Sequence, residues 1–217
     1  MSSLLTQEER LLLIDTCGET AGVALSCGQD VFAAEDLARG SASAEIVQAI
    51  RRLLEQQGFR LRDLDAVGAV SGPGSFTGTR AGLATAKGLC EAAALSLAAV
   101  SRLEVLADAA ELRDGFSALD AGRNEVYIRE VTTGREWLCA TDDLRNRCEG
   151  HRIVIAETRL RDRLEGCNIT LHPLHAADSL TAVLRRLRDG ASDVALTDAN
   201  YVRGEGDIYA KPVGVLP

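Results

Sequence analysis

One glycine-rich segment constrains the fold of this chain more than any other: residues 71–80, with the sequence SGPGSFTGTR. It follows an apolar run, residues 66–70, and it precedes a long helical pattern over residues 81–94. This order predicts that a buried strand leads into a tight turn and that the turn leads into a helix. The chain is therefore expected to contain an α/β unit built around this turn.

The residues of the turn suggest their own conformational roles. Gly72 and Gly74 are expected to take positive φ, and Pro73 restricts φ and removes a donor. Thr77 is expected to be the N-cap of the following helix. The predicted structural loop consists of Gly72, Pro73, Gly74, Ser75, Phe76 and Thr77. Two uses of such a turn remain open: it holds an anion on backbone N–H groups, or it lets another backbone approach closely.

Composition limits the classes of function. The 217 residues suffice for one large or two small domains, and 46% of them are apolar. A net charge of −8 argues against direct binding of nucleic acid, which depends on Lys and Arg. No CxxC pair, signal peptide or run of about 20 apolar residues is present. We expect a reduced, cytoplasmic protein with free thiols, no cofactor and no membrane segment.

The hydrophobic pattern predicts the same order of elements in both halves. In the first half, strands are predicted at 11–16, 22–26, 30–37 and 66–70, and helices at 43–57 and 81–94. Ser43 is the predicted cap of the first helix and Gly58 its stop. In the second half, strands are predicted at 116–120, 125–132, 136–139 and 152–156, and helices at 141–147, 158–164 and 176–188. The pattern β-β-β-α-β-α, present twice, predicts two lobes, residues 1–100 and 101–217, each with a mixed sheet flanked by helices.

These features resemble the actin-like ATPase fold shared by sugar kinases and Hsp70, and more closely the TsaB/YeaZ family of tRNA threonylcarbamoyladenosine biosynthesis. The closer resemblance is carried by four segments: LIDT at 13–16 with VAL at 23–25; GPGSFTG at 72–78 with Arg80, Gly82 and Gly88; DAGR at 120–123 with EVY at 125–127; and YVR at 201–203. One departure is visible: many members have a His before the first long helix, where this chain has GSAS at 40–43.

The resemblance implies a non-catalytic scaffold. Such a subunit supports a TsaD-type catalytic subunit, joined by a TsaE-type ATPase, in modifying the adenosine beside the anticodon of ANN-decoding tRNAs. It contacts tRNA only through that complex, and self-association into a dimer is a further expectation for the isolated chain. The alternatives left open are a glycopeptidase-like enzyme and an ATP-dependent kinase-like enzyme of the same fold.

The second long helix is the expected partner interface, because small residues recur along it at three- and four-residue steps. With one face of the preceding helix, the predicted interface is Ile46, Ile50, Leu53, Gly78, Ala81, Gly82, Thr85, Ala86 and Leu89. The alternative is that both faces merely cover the chain's own sheet.

No catalytic or metal-binding set is predicted. Cys17 or Ser75 would need a nearby base to act as a nucleophile. The spacing of His172 and His175, with a proline between them, does not suit a pair of metal ligands on one helix. Four residues lie where the resemblance places the phosphate grip of actin-like ATPases: Asp15, Thr16, Gly18 and Asp120. Two interpretations stay open for them: a weak nucleotide-binding site, or hairpin positions whose side chains satisfy local backbone groups.

Overall fold

A computed structural model describes residues 9–38 and 40–200, without the side chains of residues 42 and 43. The strands are β1 (Arg10–Asp15), β2 (Ala21–Cys27), β3 (Asp30–Leu37), β4 (Ala66–Val70), β5 (Ser96–Val100), β6 (Phe116–Gly122), β7 (Glu125–Glu130), β8 (Glu136–Ala140), β9 (Arg152–Ile155) and β10 (Asn168–Leu171). The α-helices are α1 (Ala42–Gln56), α2 (Phe76–Ala93), α3 (Arg102–Ala109), α4 (Thr141–Arg147), α5 (Thr158–Arg163) and α6 (Leu180–Asp189). Short 3₁₀ helices cover Leu61–Asp63 and Ala176–Ser179.

The strands form two five-stranded sheets with the same topology. Their orders are β3-β2-β1-β4-β5 and β10-β9-β6-β7-β8. In each sheet the first three strands in the chain pair antiparallel, and the last two add in parallel. The predicted internal repeat and the two mixed sheets are therefore confirmed.

The predicted order of elements was nevertheless incomplete, because it omitted β5, α3 and β10. The β5 sequence, SLAAV, directly follows the helical pattern of α2 and shows no alternation of apolar and polar residues. The four residues of β10 are only partly buried or exposed. Neither strand carries the period of two that marks a half-buried strand, so their pairing partners define them instead.

Strand β1 is buried on both faces and separates two hydrophobic cores. Leu11 and Leu13 face one core, and Leu12 and Ile14 face the other. The first core includes residues of α3 and α6, and the second includes residues of α1 and α2. The first sheet is thus a central layer between two helical layers, which places α1 and α2 side by side on one surface.

Helix α6 lies against the first sheet, although the division at residue 100 had assigned it to the second lobe. It packs on β4 and β5, where Gly68 leaves room for the side chain of Val183. Arg185 also pairs with Glu104 and Asp108 of α3. The apolar stripe of α6 is buried on the sheet, so this part of the predicted second lobe is corrected.

Helix α1 differs from the prediction at its beginning but not at its end. Its N-cap residue is Ser41 rather than Ser43, and the Ser41 hydroxyl donates to the Ala38 carbonyl instead of capping the helix. Gly58 follows the helix with a φ of 71°, as expected for a residue that ends a helix. The motif at 201–203 lies outside the described residues.

Candidate functional site: a docked glycine loop and an exposed helical face

The glycines of the loop make room for the chain segment that follows β1. A Cβ on Gly74 would lie 2.3 Å from the Cys17 carbonyl oxygen, and one on Gly78 would lie 2.1 Å from that of Thr16. Two hydrogen bonds join the segments: Ser75 N–H donates to the Cys17 carbonyl at 2.8 Å, and the Thr16 hydroxyl donates to the Gly78 carbonyl at 2.6 Å. Of the two uses left open by the sequence, the described contacts therefore favour close backbone approach.

Two details of the predicted loop are corrected. Gly72 has a φ of 97°, as expected, but Gly74 is not among the glycines with positive φ. Gly74 is needed for space rather than for its backbone angle. Ser75, not Thr77, is the N-cap of α2, because its hydroxyl oxygen accepts a hydrogen bond from Gly78 N–H at 3.2 Å. Thr77 is an exposed residue of the first turn.

Cys17 is held beneath the loop as a neutral thiol. Its Sγ donates to the Val70 carbonyl at 3.2 Å and accepts from the Thr79 hydroxyl at 3.3 Å. Burial raises the pKa of Cys17 from 9.0 to about 12, and the nearby Asp15 carboxylate adds to the shift. A thiol with such a pKa is a poor nucleophile at neutral pH, because the thiolate is the reactive form.

A cleft of about 550 Å³ separates the two lobes. Of the four candidate nucleotide-binding residues, Thr16, Gly18 and Asp120 line it, and Asp15 does not. Asp15 is 1% exposed and accepts a hydrogen bond from Cys17 N–H at 2.8 Å. Burial raises the pKa of Asp15, although the positive charge of Arg102 opposes this effect. Its carboxylate therefore stabilises the turn after β1 and does not line the cleft.

One buried ion pair and a partly exposed cluster of two arginines around Asp120 lie along this cleft. Arg102 Nη1 lies 2.9 Å from Glu157 Oε1, and both side chains are 5% exposed. Glu157 Oε2 also accepts from Asp120 N–H at 3.2 Å. The Asp120 carboxylate pairs with Arg159 at 2.7 Å and with Arg163 at 2.5 Å. The four candidate nucleotide-binding positions remain a prediction, with Asp120 available to a ligand only if these arginines move.

The sequence prediction missed Arg102 and Glu157. Arg102 lies two residues after β5, which the prediction omitted, and Glu157 lies two residues after β9, which it contained. The two residues are 55 positions apart in the chain. No local pattern links two such residues. A charged residue next to a buried strand end was the only signal available.

The predicted helical interface divides into a buried and an accessible set. Six of its members are buried within the chain's own cores or against the segment after β1: Ile46, Ile50, Leu53, Gly78, Gly82 and Ala86. Their burial favours the alternative that these residues cover the chain's own sheet, although Ile50 also lines the groove described below. Ala81, Thr85 and Leu89 remain partly exposed. The partner interface stays a prediction for the whole set, and these three residues are its more accessible members.

The accessible surface of the two helices contains residues that the prediction omitted. Val47 of α1 is 56% exposed, and Ala84 and Gly88 of α2 are exposed. A Cβ on Gly88 would meet no atom of another described segment within 4 Å. An apolar groove of about 330 Å³ lies between the helices and is lined by Val47, Ile50, Leu54, Phe59, Leu61, Thr85 and Leu89, with Arg51, Glu55 and Arg60. We name this surface, with Ala84 and Gly88, the α1–α2 face.

The histidines and cysteines behave as ordinary structural residues in the described part of the chain. His172 N–H donates to the Ile155 carbonyl, and His175 Nδ1 lies 3.1 Å from an Asp36 carboxylate oxygen at the surface. Within residues 9–38 and 40–200, no group of three or more His, Cys, Asp or Glu is arranged to hold a metal ion. All six cysteines are free thiols. Among the described helices, none has both the length and the apolar character needed to span a bilayer.

Comparison with protein families gives one match that covers about half of the chain. The family described as TsaD: tRNA N6-adenosine threonylcarbamoyltransferase matches residues 36–144. The tRNA threonylcarbamoyladenosine biosynthesis protein TsaB of Haemophilus influenzae is 35% identical over 129 residues, which are 58% of this chain and 55% of the relative. The chain thus spans about half the length of the curated relatives it matches.

Solved structures extend the similarity over nearly the whole chain. A Pseudomonas aeruginosa protein with similarity to peptidase YeaZ superposes with a TM-score of 0.74 at 24% identity, covering 90% of this chain and 100% of that one. The (R)-2-hydroxyglutaryl-CoA dehydratase component A of Acidaminococcus fermentans superposes with a TM-score of 0.53 at 14% identity, covering 84% and 99% of the two chains. The architecture is therefore the two-lobed actin-like fold that the sequence resemblance implied.

Proposed function

The chain belongs to the TsaD family, in its TsaB/YeaZ group, and from this premise we propose that it is a non-catalytic scaffold subunit in tRNA threonylcarbamoyladenosine biosynthesis. It binds a TsaD-type catalytic subunit, which modifies the adenosine beside the anticodon of ANN-decoding tRNAs in the cytoplasm. A TsaE-type ATPase joins this assembly, and tRNA is reached through the complex.

The observation that carries this proposal is the exposed α1–α2 face. Two adjacent helices leave Val47, Ala84 and Gly88 accessible beside an apolar groove. Small residues at the surface of a helix allow another helix to approach closely, and the groove offers apolar area for its side chains. A helical surface of the catalytic subunit fits this geometry, and a second copy of the chain would compete for the same face.

The enzymatic alternatives are less well supported by the surroundings of the residues considered for catalysis or for nucleotide binding. Cys17 is a buried thiol with a raised pKa, and the Ser75 hydroxyl caps α2. Asp120 is paired with two arginines. Peptide hydrolysis or ATP turnover by the isolated chain, at rates comparable to those of dedicated enzymes, would contradict the scaffold proposal.

The proposal is tested by the substitution Gly88→Leu. The new side chain projects from the α1–α2 face into open space, so it should block close approach of a partner helix while the chain stays folded. We expect binding of the TsaD-type subunit, measured by calorimetry, to weaken at least about tenfold. Threonylcarbamoyladenosine formation in a reconstituted system should fall in parallel.

Two further measurements make the test decisive. Thr181→Leu places the same side chain at an exposed position of α6, on the opposite side of the first sheet, and should leave binding unchanged. Leu is also a better helix former than Gly, so the free energy of unfolding of Gly88→Leu should rise by about 0.5–1 kcal/mol. Undiminished partner binding by this folded variant would remove the α1–α2 face from the interface.

A further inference from the structure

A separate recess lies in the second lobe, away from both the interlobe cleft and the α1–α2 face. Its volume is about 330 Å³, and it is lined by Phe116, Glu130, Arg135, Trp137 and Arg147. Trp137, on β8, is the only tryptophan in the sequence. The scaffold role proposed above makes no use of this recess.

Two guanidinium groups border the recess without carboxylate partners. Within residues 9–38 and 40–200, neither Arg135 nor Arg147 forms an ion pair, whereas the nearby Arg129 pairs with Glu136 at 2.9 Å. The Glu130 carboxylate accepts a hydrogen bond from the Thr133 hydroxyl at 2.7 Å. The recess therefore carries an excess of positive charge, although the whole chain has a net charge of −8.

Aromatic rings form the apolar part of the same recess. The Arg135 guanidinium carbon lies 5.4 Å from the centre of the Trp137 ring, and Phe116 meets His151 edge to face at 5.8 Å. Trp137 itself is only partly buried. An accessible indole beside guanidinium groups is the combination that proteins use for an unpaired base and its phosphate, through stacking and charge-assisted hydrogen bonds.

We propose that this recess binds a nucleoside monophosphate, either as a free mononucleotide or as an unpaired nucleotide of an RNA strand. The base stacks on Trp137 when the Arg135 guanidinium, which lies over the ring, moves aside, and the phosphate pairs with Arg135 and Arg147. Glu130 supplies an acceptor for an amino group of the base or for a ribose hydroxyl. A simple anion would leave the aromatic wall unused, and an uncharged ring would leave both guanidinium groups unpaired.

The single tryptophan provides the measurement. Titration of the full chain with AMP should change Trp137 emission to saturation, and AMP should bind more tightly than either inorganic phosphate or adenosine alone. A short oligoadenylate RNA distinguishes the two sources: tighter binding than AMP assigns the site to an RNA strand, and equal or weaker binding assigns it to the mononucleotide. The absence of a saturable change with both AMP and the oligonucleotide overturns the proposal. Binding of phosphate alone as tightly as AMP also overturns it.

A matched pair of variants tests the location. Arg147→Gln should weaken AMP binding roughly tenfold, because a charge-assisted contact to phosphate is lost. Arg161→Gln removes the same charge from an exposed position of α5 outside the recess and should leave the affinity unchanged. Equal weakening by both variants would mean that only net charge matters, which contradicts a built site. These measurements use the isolated chain, so their outcome is independent of whether Gly88→Leu impairs partner binding.

Discussion

The two faces of α2 use the same residue types for opposite purposes. On the inner face, Gly78, Gly82 and Ala86 are buried, and the two glycines lie against Thr16. On the outer face, Ala84 and Gly88 are exposed, and a Cβ added to Gly88 meets no neighbouring segment within 4 Å among residues 9–38 and 40–200. Small residues at helical spacing therefore indicate that another segment packs closely against the helix. The spacing alone does not show whether that segment belongs to the same chain or to a partner.

The largest expected effect comes from enlarging the inner face. A Cβ on Gly82 would lie 2.2 Å from the Thr16 hydroxyl oxygen, so Gly82→Leu cannot be accommodated without moving the segment after β1. We expect a loss of about 3 kcal/mol or more in the free energy of unfolding, at the upper end of overpacking effects. Urea denaturation followed by circular dichroism measures this loss.

The comparison with the outer face supplies the control for that experiment. Gly88→Leu introduces the same side chain six residues later and should not destabilise the chain. Equal stabilities of the Gly82→Leu and Gly88→Leu variants would show that the two faces do not differ as described.

The thiol beneath the inner face predicts a dependence of stability on pH. The pKa of Cys17 is raised to about 12 in the folded chain, against 9.0 as its ordinary value. The neutral thiol therefore favours the folded state at pH values below about 9, and this contribution is lost as the pH rises toward 12. The decline attributable to one such group is at most about 1.4 kcal/mol per pH unit.

The assignment to Cys17 is checked by substitution. Urea denaturation at several pH values above 9 should show a shallower decline for Cys17→Ala than for the unchanged chain. Cys148 is also buried, with its pKa raised to about 12, so some decline should persist in the variant. Parallel declines for the two proteins would argue that Cys17 is not protected in the folded state.

The smallest expected effect concerns the beginning of α2, where the two faces meet. Ser75→Ala removes the hydroxyl that accepts from Gly78 N–H, so the free energy of unfolding should fall by about 1 kcal/mol. Thr77→Ala removes the hydroxyl of the exposed neighbouring residue and should have a smaller effect. A larger loss for Thr77→Ala than for Ser75→Ala would restore Thr77 as the cap.

Much of the fold was accessible from the sequence because its signals are local. The glycine loop, the meander of β1 to β3 and the amphipathic helices follow from turn chemistry and periodicity. Of the elements that were missed, β5 and β10 lack such signals, whereas α3 has one that the prediction overlooked: Ser101 caps the helix, and Glu104 follows three residues later. The α6 helix was recognised as a helix, but the sequence did not show which sheet would bury its apolar stripe.

By itself, the sequence determined that two similar α/β halves exist, that a glycine-rich turn separates a buried strand from a long helix, and that the thiols are scattered. Only the tertiary structure decided which small residues face inward, that Arg102 meets Glu157 at the floor of the cleft, and that Trp137 lies beside two arginines without an ion pair in the described part of the chain. The physical reason is range. Backbone propensity and periodicity act over a few residues, whereas burial and charge pairing depend on which distant segments the folded chain brings together.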